Sequence, residues 1–146
     1  MPRWLDLPPV WLIAIMALGY LIALAAPPPG WPMPWIGGAV MALGVALAIW
    51  AAAGFRAQRT TIIPHRQPSA LITGGAFAFS RNPIYLADLI VLVGWLMIWG
   101  AAAPFVLIPA FAWIINTRFI APEEARLQAA FGEAFTAYAA RTRRWI

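Results

Sequence analysis

No charged residue occurs between Leu7 and Phe55, a run of 49 residues. A helix that crosses a bilayer needs about 20 predominantly apolar residues, so this run is long enough for two crossings and a turn. A proline-rich segment at 27–34 interrupts the run and cannot continue a helix. The sequence therefore predicts two N-terminal transmembrane spans, at roughly 9–26 and 35–55. Small residues crowd the second span, which predicts close packing against neighbouring helices.

The composition excludes a water-soluble domain. The chain is 63% hydrophobic and 10% charged, whereas an average soluble domain is about 45–50% apolar and about 25% charged. Disordered chains are polar and rich in charge, so disorder is excluded as well. The absence of Cys rules out disulfides, thiolate zinc sites and cysteine nucleophiles. With one His and five carboxylates, we expect no metal site.

The second half of the chain contains one more long uncharged stretch, from Leu89 to Thr117. It is interrupted near residues 100–104, so we interpret it as a helical hairpin with arms at roughly 84–99 and 104–119. Each arm is short for a full crossing, and Pro109 lies within the second. The segment 56–81 contains four arginines and predicts a polar loop outside the membrane.

The last segment has a different pattern. Apolar side chains recur at helical spacing, which predicts an amphipathic helix on the membrane surface or against the bundle. These side chains are Leu127, Ala130, Phe131, Ala134, Phe135 and Tyr138. The fold predicted overall is an all-α integral membrane protein with four transmembrane helices, the last two a short helical hairpin, plus a C-terminal amphipathic helix. We expect a single membrane domain, 1–146, with the two N-terminal spans in 9–55.

All ten basic residues are arginines, and their distribution predicts the orientation. With the N-terminus inside, Arg3, the four arginines of 56–81 and the five of 118–144 lie on the cytoplasmic side, while the two outer turns carry no charge. We therefore expect a multi-pass protein of a bacterial inner membrane with both termini cytoplasmic. The absence of Lys beside abundant Ala and Arg favours a bacterial source.

The same features allow two other interpretations. Residues 23–25 resemble a signal-peptidase site after an apolar segment, although the segment is longer than a usual signal core. The net charge of +5 suits a nucleic-acid partner only if the arginines form a stripe on a polar surface. They lie instead between long uncharged runs, so we expect no nucleic-acid partner and a surface that contacts membrane lipids.

Three motifs follow one another at the polar ends of these helices. They are Arg81-Asn82-Pro83-Ile84-Tyr85, Glu123-Glu124, and Phe131-Gly132 followed by Tyr138, with Arg144-Trp145 at the end of the chain. In this order around a hairpin, they resemble the signature of the isoprenylcysteine carboxyl methyltransferase and phospholipid methyltransferase superfamily, in its bacterial Arg-Asn-Pro-x-Tyr branch. The similarity covers roughly residues 60–146 and implies a methyltransferase-like core at 56–146.

This resemblance implies an S-adenosyl-L-methionine-dependent methyltransferase that acts on a lipophilic acceptor, either an isoprenylcysteine-like carboxylate or a lipid headgroup. It implies three catalytic residues, Arg81, Asn82 and Tyr85. The cofactor-binding residues that it implies are Gly74, Gly75, Phe77, Arg81, Tyr85, Glu123 and Glu124. No metal is implied.

The chemistry of the cofactor is compatible with these residue types. A carboxylate such as Glu123 or Glu124 can accept charge-assisted hydrogen bonds from the ribose diol or the ammonium group. Arg81 can bind the cofactor carboxylate or an anionic group of the substrate. The pair Gly74-Gly75 permits close approach of backbone, and aromatic rings at Phe77 and Tyr85 can pack on adenine.

Some of these residues also have a purely local interpretation. Pro122 can start a helix with Glu123 and Glu124 in its first turn, where the helix dipole favours acids. Asn82 can cap the third helix with Pro83 at its first position. Asp88 is either a water-accessible acid near the interface or a substrate contact, and both interpretations stay open. His65 is expected to be a solvated loop residue.

Two other functions remain open as well. Membrane sterol reductases resemble the same superfamily and use NADPH, whose 2′-phosphate suits the arginine-rich loop. The third possibility is a membrane scaffold with a degenerate site, since Ala76, Asn82 and Phe135 depart from the residues that are usual in the superfamily. Binding of the two cofactors and activity of the purified protein distinguish these alternatives.

Overall fold

The computed structural model describes residues 6–25, 33–57, 70–100 and 103–146. Within these ranges the chain is all-α and contains no strand. The helices are α1 (Pro8–Ala25), α2 (Pro34–Ala57), α3 (Pro83–Trp99), α4 (Leu107–Ile115), α5 (Ala121–Phe131) and α6 (Glu133–Arg141). Proline starts each of the first three, at a position where its missing N–H has no helical partner to lose.

The two predicted N-terminal spans are confirmed as α1, with 18 residues, and α2, with 24 residues. Both are long and apolar enough to cross a membrane. The first arm of the predicted hairpin is α3, which has 17 residues and is about 25 Å long. Residues 27–32 of the proline-rich turn and residues 58–69 of the loop, including His65, lie outside the described residues.

The second arm of the hairpin is longer than predicted. The sequence indicated an end near residue 119, ahead of Pro122, but the chain is helical from Pro104 to Phe131, a stretch of 28 residues. A π-helical turn, Asn116–Ile120, joins α4 to α5. Proline lacks an N–H and its ring clashes with the carbonyl four residues earlier, and a widened turn accommodates both effects. Pro122 is the second residue of α5, with Glu123 and Glu124 in its first turn, as the local interpretation expects. This first turn continues from the π-helical turn without a break in the helix.

The C-terminal amphipathic segment consists of two helices. They meet at Gly132, whose φ of 50° and ψ of −120° interrupt the helix at a glycine. On the second helix, Phe135 and Tyr138 are buried as the apolar pattern predicts. Ala130 and Ala134 are exposed, so the pattern does not form one continuous stripe.

The most extensive helix contact is between α2 and α3, and small residues make it possible. A Cβ atom placed at Gly37 would lie 2.5 Å from the Gly94 carbonyl oxygen, and one at Gly94 would lie 2.5 Å from that of Gly37. One at Gly44 would lie 2.9 Å from the Ala87 carbonyl oxygen. The backbones thus approach as closely as the small residues of the second span predict.

The apolar core lies among α1, α3 and the helical stretch Pro104–Phe131, which we call the fourth crossing. Its fully buried members include Leu92, Leu96, Phe111 and Ile115. Large apolar side chains also cover the outside of the bundle, which is the arrangement expected of a protein surrounded by lipid. They include Ile13, Leu21, Leu24, Trp35, Leu43, Ile49 and Trp113. The chain is therefore a multi-pass membrane protein.

The two ends of the bundle differ in charge. At one end, Arg118 on the fourth crossing pairs with Asp6 at the start of α1, with Nη2 and Oδ1 3.2 Å apart. At the other end, the Met33 amide donates to the Met97 carbonyl oxygen at 3.1 Å. The described arginines and acids lie towards the first end, and the site is built there.

Candidate functional site

A cavity of about 390 Å³ lies at the charged end of the bundle. Its walls come from the start of α1, the end of α2, the segment before α3, the first turns of α3, and one residue of α5. The lining residues are Leu7, Pro8, Pro9, Phe55, Phe77, Arg81, Asn82, Pro83, Ile84, Tyr85, Asp88 and Glu123. Several residues implied by the resemblance therefore meet on one cavity: Phe77, Arg81, Asn82, Tyr85 and Glu123.

Tyr85 and Glu123 connect α3 to α5 at the wall of this cavity. The Tyr85 hydroxyl donates a hydrogen bond of 2.9 Å to Oε2 of Glu123. Tyr85 is 8% exposed, and its ring lies near that of Phe119, with centroids 6.4 Å apart. The bond fixes the phenol and leaves the carboxylate at the edge of the cavity, where it can accept further hydrogen bonds.

Glu124 is held differently from its neighbour. It does not line the cavity and instead lies between two arginines. Its Oε1 is 3.5 Å from Nη2 of Arg81, and it also accepts two hydrogen bonds from Arg144. The side chains of Arg81 and Glu124 are only 17% and 14% exposed, so this is a partly desolvated charge cluster.

Asn82 occupies the position before α3, but its side chain does not cap the helix. Its Nδ2 donates to the Arg144 carbonyl oxygen at 3.0 Å, and its backbone N–H donates to Oγ of Ser80 at 3.1 Å. The interpretation of the Asn82 side chain as an ordinary helix cap is therefore wrong. Asn82 joins the cavity wall to the end of the chain.

The segment before Asn82 is held by α6. The Tyr138 hydroxyl donates a hydrogen bond of 2.6 Å to the Phe77 carbonyl oxygen. Burial raises the pKa of Tyr138 to about 12, an effect that the positive charges of Arg81 and Arg141 partly oppose. The phenol therefore stays protonated and keeps donating across the neutral pH range.

The structure does not bring Gly74 and Gly75 to this cavity. They line a second cavity of about 550 Å³, between the end of α2 and residues 71–77. Phe77 lines both cavities. Gly75 has a φ of 61°, which glycine adopts without strain.

Asp88, for which a substrate contact was one of two open interpretations, lines the cavity one turn beyond Tyr85. Sequence reasoning left out the apolar side of the cavity, which Leu7, Pro8 and Phe55 form. An acidic residue in a transmembrane helix is a functional signal on its own, and that signal identifies Asp88. The apolar wall has no comparable signal, because any span offers such side chains. Among the described residues, no cluster of three or more His, Asp or Glu side chains is arranged to hold a metal.

The fold and the cavity define a multi-pass, all-α membrane protein with a partly polar site at one end of its helix bundle. A family model described as phospholipid methyltransferase matches residues 33–134. The chain belongs to that family, which is part of the isoprenylcysteine carboxyl methyltransferase superfamily. This confirms the resemblance, and the matched range begins earlier than the motifs, in α2. No curated protein and no solved structure matches the chain.

Proposed function

We propose that this chain is an integral membrane S-adenosyl-L-methionine-dependent methyltransferase that acts on a lipophilic acceptor. The family is one of membrane methyltransferases, and the cofactor and acceptor are the part proposed. The observation that carries the proposal is the convergence of Arg81, Asn82, Tyr85 and Glu123 on one cavity. Glu123 is 38 positions from Tyr85 in the sequence, so only the fold brings it to the other three residues.

The cavity fits the cofactor in size and in chemistry. Its volume lies in the range of small-molecule sites, about 300–1,000 Å³. Arg81 offers a guanidinium for the cofactor carboxylate, and Glu123 and Asp88 offer carboxylates for the ammonium group or the ribose diol. Aromatic side chains at Phe77 and Tyr85 suit the adenine ring. When bound, the cofactor supplies a methyl group on a cationic sulfur.

One atom supports the assignment of Arg81. Its Nε is buried and has no hydrogen-bond partner among the described residues. A buried donor without a partner costs free energy, so a side-chain shift that lets this atom donate to a bound carboxylate would be favourable.

The acceptor is proposed to bind along the apolar wall of the cavity. Leu7, Pro8 and Phe55 lie there, beside the lipid-facing helices α1 and α2. Methyl transfer is an in-line displacement, so these residues would position the acceptor and exclude water. An acceptor carboxylate is already ionised at neutral pH, while an amine must first lose a proton, a step for which a nearby carboxylate is the candidate base.

The site is proposed to face the cytoplasm of a bacterium, from its inner membrane. The described arginines lie towards the same end of the bundle as the cavity, and positive residues favour the cytoplasmic side. The cofactor is made in the cytoplasm, so this orientation would give the cavity direct access to it.

The test is a calorimetric titration of the detergent-purified protein with S-adenosylhomocysteine, with NADPH in parallel. We expect S-adenosylhomocysteine to bind with micromolar affinity, and we expect Arg81→Gln to lose this binding. The matched control is Arg141→Gln, which removes the same charge from an exposed position on α6. Binding of NADPH alone would support a reductase instead, and binding of neither would support a scaffold.

A further inference from the structure

Glu124 is shared between two arginines that come from different parts of the chain. Arg144 binds both carboxylate oxygens: its Nε donates to Oε1 at 3.2 Å and its Nη2 donates to Oε2 at 2.5 Å. Arg81 approaches only one of these oxygens, with Nη2 3.5 Å from Oε1. The contact with Arg144 is the bidentate one, and such charge-assisted pairs are the stronger kind.

Arg144 is itself fixed in place by several contacts. Its Nη1 donates to Oδ1 of Asn116 at 3.1 Å, in the π-helical turn. Its carbonyl oxygen accepts from Nδ2 of Asn82 at 3.0 Å and from Oγ of Ser80 at 3.4 Å. The Arg81 amide donates to the neighbouring Arg143 carbonyl oxygen at 2.9 Å. The end of the chain is thus bound along the segment that carries Arg81.

This arrangement changes what Arg81 can do. A carboxylate with one arginine beside it would form a close bidentate pair with that arginine, and Arg81 would be neutralised. Because Arg144 occupies both oxygens of Glu124, Arg81 is left with a single long contact and with Nε unpartnered among the described residues. Arg81 also lines the cavity, whereas Arg144 does not.

We propose that Arg144 is a positioning residue of the site: by binding Glu124 through both oxygens, it keeps the Arg81 guanidinium available for an anionic group of the ligand in the cavity. This rests on the proposed function, in which that group is the cofactor carboxylate. Glu124 then acts through Arg81 and does not touch the cofactor. Without Arg144, Glu124 pairs fully with Arg81 and competes with the ligand for it.

The test compares two ligands on Arg144→Gln by calorimetric titration. We expect the dissociation constant of S-adenosylhomocysteine to rise about tenfold, the change expected for one charge-assisted hydrogen bond. We expect the dissociation constant of 5′-methylthioadenosine, which lacks the amino-acid carboxylate, to stay within about twofold of its wild-type value. The matched control is Arg143→Gln, which removes an adjacent exposed charge and keeps the backbone carbonyl. It should leave both affinities unchanged.

A double-mutant cycle with Glu124→Gln tests the route through Glu124. In the Glu124→Gln background, Arg144→Gln should no longer weaken S-adenosylhomocysteine binding, because no carboxylate is left to compete for Arg81. If Glu124→Gln alone abolishes binding, Glu124 contacts the ligand directly and the proposal is overturned. Should Arg144→Gln fail to fold, Arg144→Lys preserves the charge without the bidentate geometry and should still weaken binding selectively.

The outcomes separate this inference from the proposed function. Absence of S-adenosylhomocysteine binding in the wild-type protein would overturn the proposed function, and this inference with it. Wild-type binding that Arg144→Gln leaves unchanged would overturn the inference alone. An equal loss of affinity for both ligands in Arg144→Gln would also overturn the inference, because that result indicates a general structural role for Arg144.

Discussion

Glu123 and Glu124 are adjacent in the chain but have different partners. Consecutive helical residues are separated by about 100° around the axis, so one side chain reaches the cavity and the other reaches the two arginines. The Tyr85 hydroxyl binds the first, and Arg81 and Arg144 bind the second. We accordingly propose direct ligand contact for Glu123 and an indirect role for Glu124.

The division of roles predicts the effect of Glu123→Gln. Loss of the carboxylate removes a charged acceptor from the cavity wall, and we expect the dissociation constant of S-adenosylhomocysteine to rise about tenfold. Glu133→Gln, at an exposed position on α6, is the control and should bind as the wild type does. Calorimetric titration measures both. Wild-type affinity in Glu123→Gln would remove this residue from the site.

The raised pKa of Tyr138 predicts that the folded protein loses stability at high pH. Its pKa is about 12 in the folded protein against an ordinary value of 10.0, so the unfolded chain releases the proton first. The contribution of this group to the free energy of unfolding has its full value below about pH 10, and it is lost as the pH rises from there to about 12. Tyr138→Phe should reduce that decline and should lower the melting temperature at neutral pH, since the Phe77 carbonyl loses its donor. Thermal melts between pH 7 and 12 measure both effects, and identical pH profiles would contradict the prediction.

At the scale of the helices, the close contact of α2 and α3 was predictable and the shape of the fourth crossing was not. The small residues of the second span signal close packing on their own. The π-helical turn Asn116–Ile120 carries no such signal, and the predicted arm ends near residue 119, where the helix instead continues into α5. The π-helical turn also changes the direction in which the residues after it point around the helix axis. For that reason the sequence alone could not decide which of the two glutamates reaches the cavity.

Neighbouring glycines on α2 provide a matched pair for testing the contact. A Cβ at Gly37 meets the backbone of α3, with the Gly94 carbonyl oxygen at 2.5 Å, whereas one at Gly38 meets nothing within 4 Å. We expect Gly37→Ala to destabilise the fold by about 1–3 kcal/mol, the usual cost of overpacking. Gly38→Ala should be neutral or stabilise by up to about 1 kcal/mol through helix propensity. Thermal unfolding in detergent compares the two, and equal melting temperatures would show that α2 and α3 are not in close contact.

At the scale of the whole molecule, the charge distribution indicates which end faces the cytoplasm. The chain has no Cys, so single-cysteine variants need no further changes. Met33 lies at the uncharged end of the bundle and Ala140 lies on α6, and both are exposed, so each can be replaced by a single Cys. With a membrane-impermeant maleimide, Met33→Cys should label in spheroplasts and Ala140→Cys only after permeabilisation. The reverse pattern would place the cavity on the outer side.

The fold and the motifs were largely predictable because both depend on local sequence. Uncharged runs locate the crossings, and the residues around Arg81 and Glu123 can be recognised by their order along the chain. The apolar wall and the binding of the C-terminal tail to the segment 80–82 depend on how distant elements pack, and so does the placement of Asp88 on the cavity wall. The sequence identifies Arg144 only as part of the Arg144-Trp145 motif, whereas in the structure it pairs with Glu124, a contact between residues 20 positions apart in sequence.

Methyl transfer itself is the most direct test of the account. The purified protein, in vesicles of total bacterial lipid with and without added isoprenylcysteine, would receive tritium-labelled S-adenosyl-L-methionine, and label in the organic phase would be counted. We predict labelling of at least one acceptor by the wild type and by Arg141→Gln, and its loss in Arg81→Gln. No labelling by the wild type with either acceptor, or equal labelling by Arg81→Gln, would contradict the account.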